Sequence, residues 1–268
     1  MTPPQARYEI PLHLLLSIVS GLLLRMVFPN FDIRWLSIAA LAPLLVALAR
    51  TESARLRFLY GWLSGVVYWF FLCTWIQFVL EVHGGMGKWG GWGSFLLFCA
   101  LKALHLGVFS WLAGPLLWRV YALPAIAALW VGLERTHGTF GFAWMALGNA
   151  GIDMSIPLRL APWLGVYGVS FVLVMFNVAI ACLLLRYPRK HLWPLATLLL
   201  LFLLPAIPQN IAADQHALAI QPNIDTEQVW TEDTQVQSER HLQLLSDMLH
   251  GSLVIWPEIP APFYYYSD

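Results

Sequence analysis

The sequence predicts a polytopic α-helical membrane domain followed by the start of an α/β domain. Three observations carry this. The chain is 59% hydrophobic and 11% charged, whereas a soluble domain carries about 25% charged residues. Its mean hydropathy is +0.66. Apolar runs long enough to cross a bilayer recur up to Ile207, and the composition then turns polar.

About seven spans are expected, some interrupted by Gly or Pro. In order they are Leu12–Phe28, Trp35–Ala49, Phe58–Leu80, Trp92–Trp118, Tyr121–Leu133, Leu160–Leu185 and Leu192–Ile207. The first is no signal peptide: no small-residue cleavage site follows it, and Arg25-Met-Val-Phe-Pro-Asn leads into the next span. Basic loop residues set the orientation. With a cytoplasmic N-terminus, Arg7, Arg50, Arg55, Arg57, Arg119, Arg186, Arg189 and Lys190 lie inside. Arg34, Lys88, Arg135, Arg159 and Arg240 then lie outside. The excess inside supports this orientation and places everything after Ile207 outside.

The formal net charge is +0, so no overall field favours nucleic acid. Cys73, Cys99 and Cys182 sit inside apolar runs without metal-like spacing and read as small buried hydrophobes.

Residues 1–208 thus form the membrane domain, and 209–268 begin a second domain. Ala217–Ile220 is a short strand closed by Gln221-Pro-Asn. A helix follows, with His241, Leu244, Leu245, Met248 and Leu249 on one face and Gly251 at its C-terminal stop. Leu253–Trp256 is a second strand. Strand, helix and strand make one βαβ unit and start a parallel sheet. Such sheets carry chemistry at the carboxyl ends of their strands, and Glu258 follows one such end. Taken alone, a carboxylate there is usually a solvated loop residue. Pro257 fixes the backbone before it. Phe263, Tyr264, Tyr265 and Tyr266 read as a hydrophobic or interfacial strand.

At this point the chain resembles the apolipoprotein N-acyltransferases, membrane enzymes of the nitrilase (carbon–nitrogen hydrolase) superfamily. "LVIWPEIPAP" resembles the strand-and-WPE motif that bears the family's catalytic Glu. "ALAIQPNIDTEQVW" resembles its opening nitrilase strand, with Trp230 at a matching Trp. "TWIQFVLEVHGGMG" resembles the third span and its Gly84-Gly85 loop. "LWVGLERTHGTFGFAWMALGNAG" and "APWLGVYGVSFVLVMFN" resemble two later stretches in the same order.

The resemblance implies a periplasmic nitrilase-like αββα domain on a bacterial inner membrane. It implies transfer of an acyl chain from a phospholipid donor to the diacylglyceryl-cysteine of an apolipoprotein, with no metal or cofactor. It also implies a thioester acyl-enzyme. A Cys thiolate attacks, a Glu carries its proton and a Lys steadies the oxyanion. Glu258 matches that general base. Trp230, Gly84 and Gly85 are the substrate-binding candidates.

Two departures stand out. No Lys or Cys follows Glu258, which leads us to expect a chain cut within the nitrilase domain and inactive alone. The family's Gly-Phe-Pro-Trp reads Gly141-Phe-Ala-Trp here. The rival expectation is a non-catalytic membrane protein whose nitrilase remnant binds a lipid or partner.

Four further features bear on function. Lys102 and His105, three apart mid-span, share a helix face and should point into the bundle or a wet cavity, either pairing there or meeting a lipid headgroup. Arg25, near a span end, is expected to snorkel to the interface. Trp89 and Trp92 flank glycines and read as interfacial anchors. Glu134 should hold the loop that follows it rather than line a site.

Overall fold

The computed structural model describes residues 4–139, 145–207, 217–223, 231–247 and 253–257. The chain divides into two compact units, Met1–Ile207 and Pro208–Asp268.

The first unit is helical. Its helices are α1 (Pro4–Val27), α2 (Ala42–Ala49), α3 (Ala54–Leu72), α4 (Trp75–Phe78), α5 (Gly87–Leu116), α6 (Ala122–Thr139) and α7 (Ala161–Leu184). Three segments are long and apolar enough to cross a membrane: Glu9–Val27, Gly87–Leu116 and Pro157–Leu184. A fourth qualifies if α3 and the segment Trp75–His83, bent from it by 62°, count as one.

The other expected spans do not meet this test of length and regularity, each for a local cause. The second is a 3₁₀ turn, Arg34–Ile38, then α2, with a break at Ala39–Leu41. Asn177 of α7 occupies that break: its Nδ2 donates to Ser37 O (2.6 Å) and its Oδ1 accepts from Leu41 N (2.7 Å). The third bends where α3 stops at Leu72 and Cys73 leaves helical geometry. The fifth, α6, spends its last turns on Glu134, Arg135 and His137. The seventh is an 11-residue 3₁₀ run, Trp193–Leu203.

Arg25 does not snorkel. It is 9% exposed, with Nε donating to Phe71 O (2.7 Å) and a terminal nitrogen donating to Phe28 O (3.1 Å) and Pro29 O (2.6 Å). The guanidinium supplies a donor to Phe71 O at the α3 bend and to Pro29 O past the end of α1, while Phe28 O also accepts from the Phe31 and Asp32 amides (3.2 Å each). Snorkelling would leave the Phe71 and Pro29 carbonyls without that donor.

The core of the unit is the contact between α3 and α5. A Cβ on Gly65 would meet the Ala103 Cα at 2.8 Å and its Cβ at 2.9 Å. A Cβ on Gly61 would collide with Ser110 and the Leu106 carbonyl. Small residues let the backbones approach this closely, and packing rather than the hydrophobic effect holds helices together in an apolar solvent. All three cysteines are buried and free, as their apolar settings imply.

The second unit contains β1 (Ala217–Ala219), α8 (Glu232–Asp247) and β2 (Leu253–Ile255). β1 and β2 pair in parallel, with Ala217 opposite Leu253 and Ala219 opposite Ile255. Thr231 and Thr234 exchange backbone-to-hydroxyl bonds (2.7 and 3.3 Å) at the start of α8, in the reciprocal manner of a capping box. The buried face of α8 differs from the one expected. Ser238 and Leu242 are buried, while His241 and Leu244 are exposed. Residues 238, 242 and 245 follow the helical repeat, and His241 and Leu244 fall outside that stripe. Met248, Leu249 and Gly251 lie outside the described residues.

Replacing Gly65 by Val should destabilise the first unit by about 1–3 kcal/mol through overpacking. Thermal unfolding in detergent measures this. Asn177→Leu strands Ser37 O and Leu41 N and should cost about 1–3 kcal/mol for each buried group left unpaired. Retention of the parental midpoint in Asn177→Leu would show that the break at residues 39–41 is held by other means.

Candidate functional site

Ionisable side chains are scarce in an apolar helical unit, and those present gather. α5 supplies Lys102 and His105, α6 supplies Glu134, Thr136 and His137, and α3 supplies Tyr68 and Trp69. Lys102 is 6% exposed, and its Nζ lies 5.2 Å from the centre of the Trp69 ring, a cation–π distance. His105 stacks on His137 with ring centroids 3.9 Å apart and planes at 20°. The Thr136 hydroxyl donates to Leu133 O (2.6 Å), so its lone pairs remain to accept from His105 Nε2 (3.0 Å). Trp69 also meets the His137 ring, at 5.7 Å. The expected inward face of Lys102 and His105 is the observed one.

Glu134 holds the turn that follows α6. Its Oε1 accepts from Leu147 N (2.7 Å) and from Trp130 Nε1 (3.1 Å). The next amide, Gly148 N, donates to Ser170 Oγ (2.7 Å). A 3₁₀ turn, Leu147–Asp153, thereby sits against α7 with its first amides satisfied. Glu134 also lines a cavity with Tyr68, Trp69, His105, His137 and Tyr167.

That cavity has a volume of about 40 Å³. A water molecule needs about 10–15 Å³ by such a measure, so the space suits two or three waters. Small-molecule pockets are about 300–1,000 Å³, which rules this cavity out as a lipid chamber in the conformation seen. Its wall is mostly apolar, with Leu24, Phe28, Leu106 and Phe109 beside the polar groups, and His137 Nδ1 is buried there with no hydrogen-bond partner among the described residues. The arrangement can solvate and orient protonatable groups inside the helical unit.

The other expected site residues lie elsewhere. Gly84 and Gly85 form the exposed turn between the π-helical turn Val79–His83 and α5. Gly84 N donates to Val79 O (2.8 Å), and Gly85 adopts φ +62°. A side chain would be strained at Gly85 whatever the surroundings, and neither glycine lines a cavity found among the described residues. Trp89 is 87% exposed, as an anchor would be, whereas Trp92 packs against Phe70 and Phe95. Glu258 and Trp230 lie outside the described residues. Asn177 and Arg25 were not singled out as organisers; an uncharged amide inside an apolar run was the available signal for the first.

The helices of membrane-crossing length, with polar groups turned inward, define a helical membrane-type protein. The family model for the apolipoprotein N-acyltransferase N-terminal domain matches residues 20–179, and the chain belongs to that family. A relative named apolipoprotein N-acyltransferase from Geobacter metallireducens is 30% identical over 95% of this chain and 52% of its own length. Relatives of the same name from Chlorobaculum tepidum (26% identical, 93% of this chain, 49% of the relative) and Methylococcus capsulatus (27%, 94% and 52%) align similarly. The chain spans about half the length of these relatives.

Replacing Glu134 by Ala should cost about 1–3 kcal/mol, because the Leu147 amide is left buried and unpaired. Glu134→Gln keeps the accepting oxygen and should retain most of the stability. Equal losses in the two variants, measured by thermal unfolding, would show that charge rather than hydrogen bonding holds the turn.

Proposed function

We propose that the chain is the membrane domain and the first part of the catalytic domain of an enzyme that N-acylates lipoproteins. The observation that carries this is the family match across residues 20–179, extended by relatives of one name along more than nine-tenths of the chain.

On this reading residues 1–208 are a multi-pass domain of the inner membrane, with the broken segments Arg34–Ala49 and Trp193–Leu203 and the helix α6 completing seven passages. Residues 209–268 begin a nitrilase-like domain on the periplasmic side. The parallel pairing of β1 and β2 around α8 supports that start. In sequence, Glu258 follows the carboxyl end of β2, the edge at which parallel sheets place their chemistry. Trp256 Nε1 donates to Ser246 Oγ (3.1 Å), which ties the strand end to α8 two residues before Glu258.

The proposed chemistry is acyl transfer in two halves. A phospholipid acyl ester is attacked by a Cys thiolate, giving a thioester and releasing the lysolipid. The diacylglyceryl-cysteine amine of the apolipoprotein then takes the acyl group and releases the thiolate. Glu258 accepts the thiol proton in the first half and passes it on. Cys73, Cys99 and Cys182 are buried in the helical unit and do not serve as this nucleophile. Trp230, Gly84 and Gly85 are assigned to substrate contact.

The protein encoded by the entire reading frame, incubated with phospholipid and a diacylglyceryl-cysteine peptide, should yield the N-acylated peptide. Its Glu258→Gln variant should be slower by about 10²–10⁴-fold, the usual worth of a general base. Unchanged turnover in Glu258→Gln would remove Glu258 from the mechanism. No product from the parent protein would favour the non-catalytic, lipid- or partner-binding reading.

A further inference from the structure

The turns that follow α5 and α7 meet through aromatic side chains. The Trp118 ring, just past α5, lies 5.1 Å from the Tyr187 ring, just past α7. Tyr187 in turn meets His191 at 5.3 Å. These contacts gather the turns that carry Arg119, Arg186, Arg189 and Lys190, all exposed. No Asp or Glu occurs between residues 82 and 133 or between 154 and 213, so neither helix brings an acid to this face. Arg57, from the α2–α3 side, lies against Gly114 near the end of α5 and donates to Thr51 O (2.6 Å). The carboxylates on that side are Glu52 and, near His13 and Arg50, Glu9. Among the described residues the only ion pairs are those of Arg34, with Asp32 and Asp153.

Helix dipoles alone do not account for these cations. Each helix C-terminus presents about half a negative charge, so two ends offset about one of the four positive charges and leave a strong surplus. Exposed aromatics frame the patch: Trp118, Tyr121 and Trp193. Tryptophan and tyrosine settle at the headgroup level of a bilayer, which puts the cations at phosphate depth. Arg186 adds a further observation. It is the C′ residue of α7, with φ +56°, and its amide and that of Tyr187 close the two bonds of a Schellman turn, to Leu183 O (3.0 Å) and Cys182 O (2.9 Å). Glycine suits this position best, yet the chain places a cation there.

We propose that the paired C-terminal ends of α5 and α7 bind the phosphate headgroup of an anionic bilayer lipid, held by Arg119, Arg186, Arg189 and Lys190. The lipid's acyl chains run past Trp118 and Trp193. The site is separate from the acyl-transfer chemistry proposed above and does not depend on it.

The test is native mass spectrometry of the 268-residue chain released from nanodiscs of mixed phosphatidylglycerol and phosphatidylcholine. The parent chain should retain phosphatidylglycerol in preference, at saturating stoichiometry, and lose it as salt is raised. Each cation removed should weaken retention about fivefold, so the combined Arg119→Gln, Arg189→Gln and Lys190→Gln variant should lose about a hundredfold. The corresponding Lys variants of the two arginines should retain the lipid. Arg186→Gly separates binding from folding: it should weaken retention while the thermal midpoint stays level or rises. Equal retention of the two lipids, or unchanged retention in the combined variant, overturns the site. Displacement by millimolar inorganic phosphate would assign the patch to a free anion and overturn the lipid.

Discussion

Backbone amides and carbonyls that leave a helix inside an apolar environment must find partners within the protein, because no water is there to take them. This constraint governs the helical unit. The chain breaks its helices repeatedly, after Val27, at residues 39–41, at Cys73 and before Leu147. At each break described in detail, a polar side chain from elsewhere in the sequence meets the freed groups. Arg25 serves the ends of α1 and α3, Asn177 serves the 39–41 break, and Glu134 with Ser170 serves the turn after α6. Ser20 adds a bond from α1 to Ala40 O (2.6 Å). Arg159 does the same for the carbonyls of Leu201, Phe202 and Leu204. The small-residue seam between α3 and α5 then brings the helices close enough for these side chains to reach.

Much of this was legible in the sequence, and the rest was not for a physical reason. Hydropathy locates α1, α5 and α7 because each is a long uninterrupted run, and it locates the strand, helix and strand of the tail because turn residues separate them. It does not report where a run is broken, because averaged hydropathy is blind to the backbone. Trp35–Ala49 and Leu192–Ile207 are apolar enough but not regular enough. The breaks depend on side chains such as Asn177, which lies 140 positions from Ser37, and no local pattern reports such a partner.

Individual residues divide the same way. Lys102 and His105 face inward because their spacing of three places both on one side of a helix and an apolar surround penalises the other side. Their specific partners, Trp69, Thr136 and His137, come from two other helices and had no local signature. For Arg25, an isolated cation near a span end has two outlets, the interface or a set of stranded carbonyls. The choice depends on where α3 bends, which is a tertiary fact. The α8 face shows the same limit at short range: several helical stripes fit its mixed sequence, and the buried one, with Ser238 and Leu242, is not the one its apolar residues suggest.

The Asn177 amide has a consequence for the order in which the domain is made. Ser37 O and Leu41 N are synthesised long before the residue that completes them, with α3, α5 and α6 emerging in between. Until residue 177 arrives, the break after the Arg34–Ile38 turn must keep water or pair with something provisional. The native closure of this early break therefore waits on α7, the last long helix of the unit to be made.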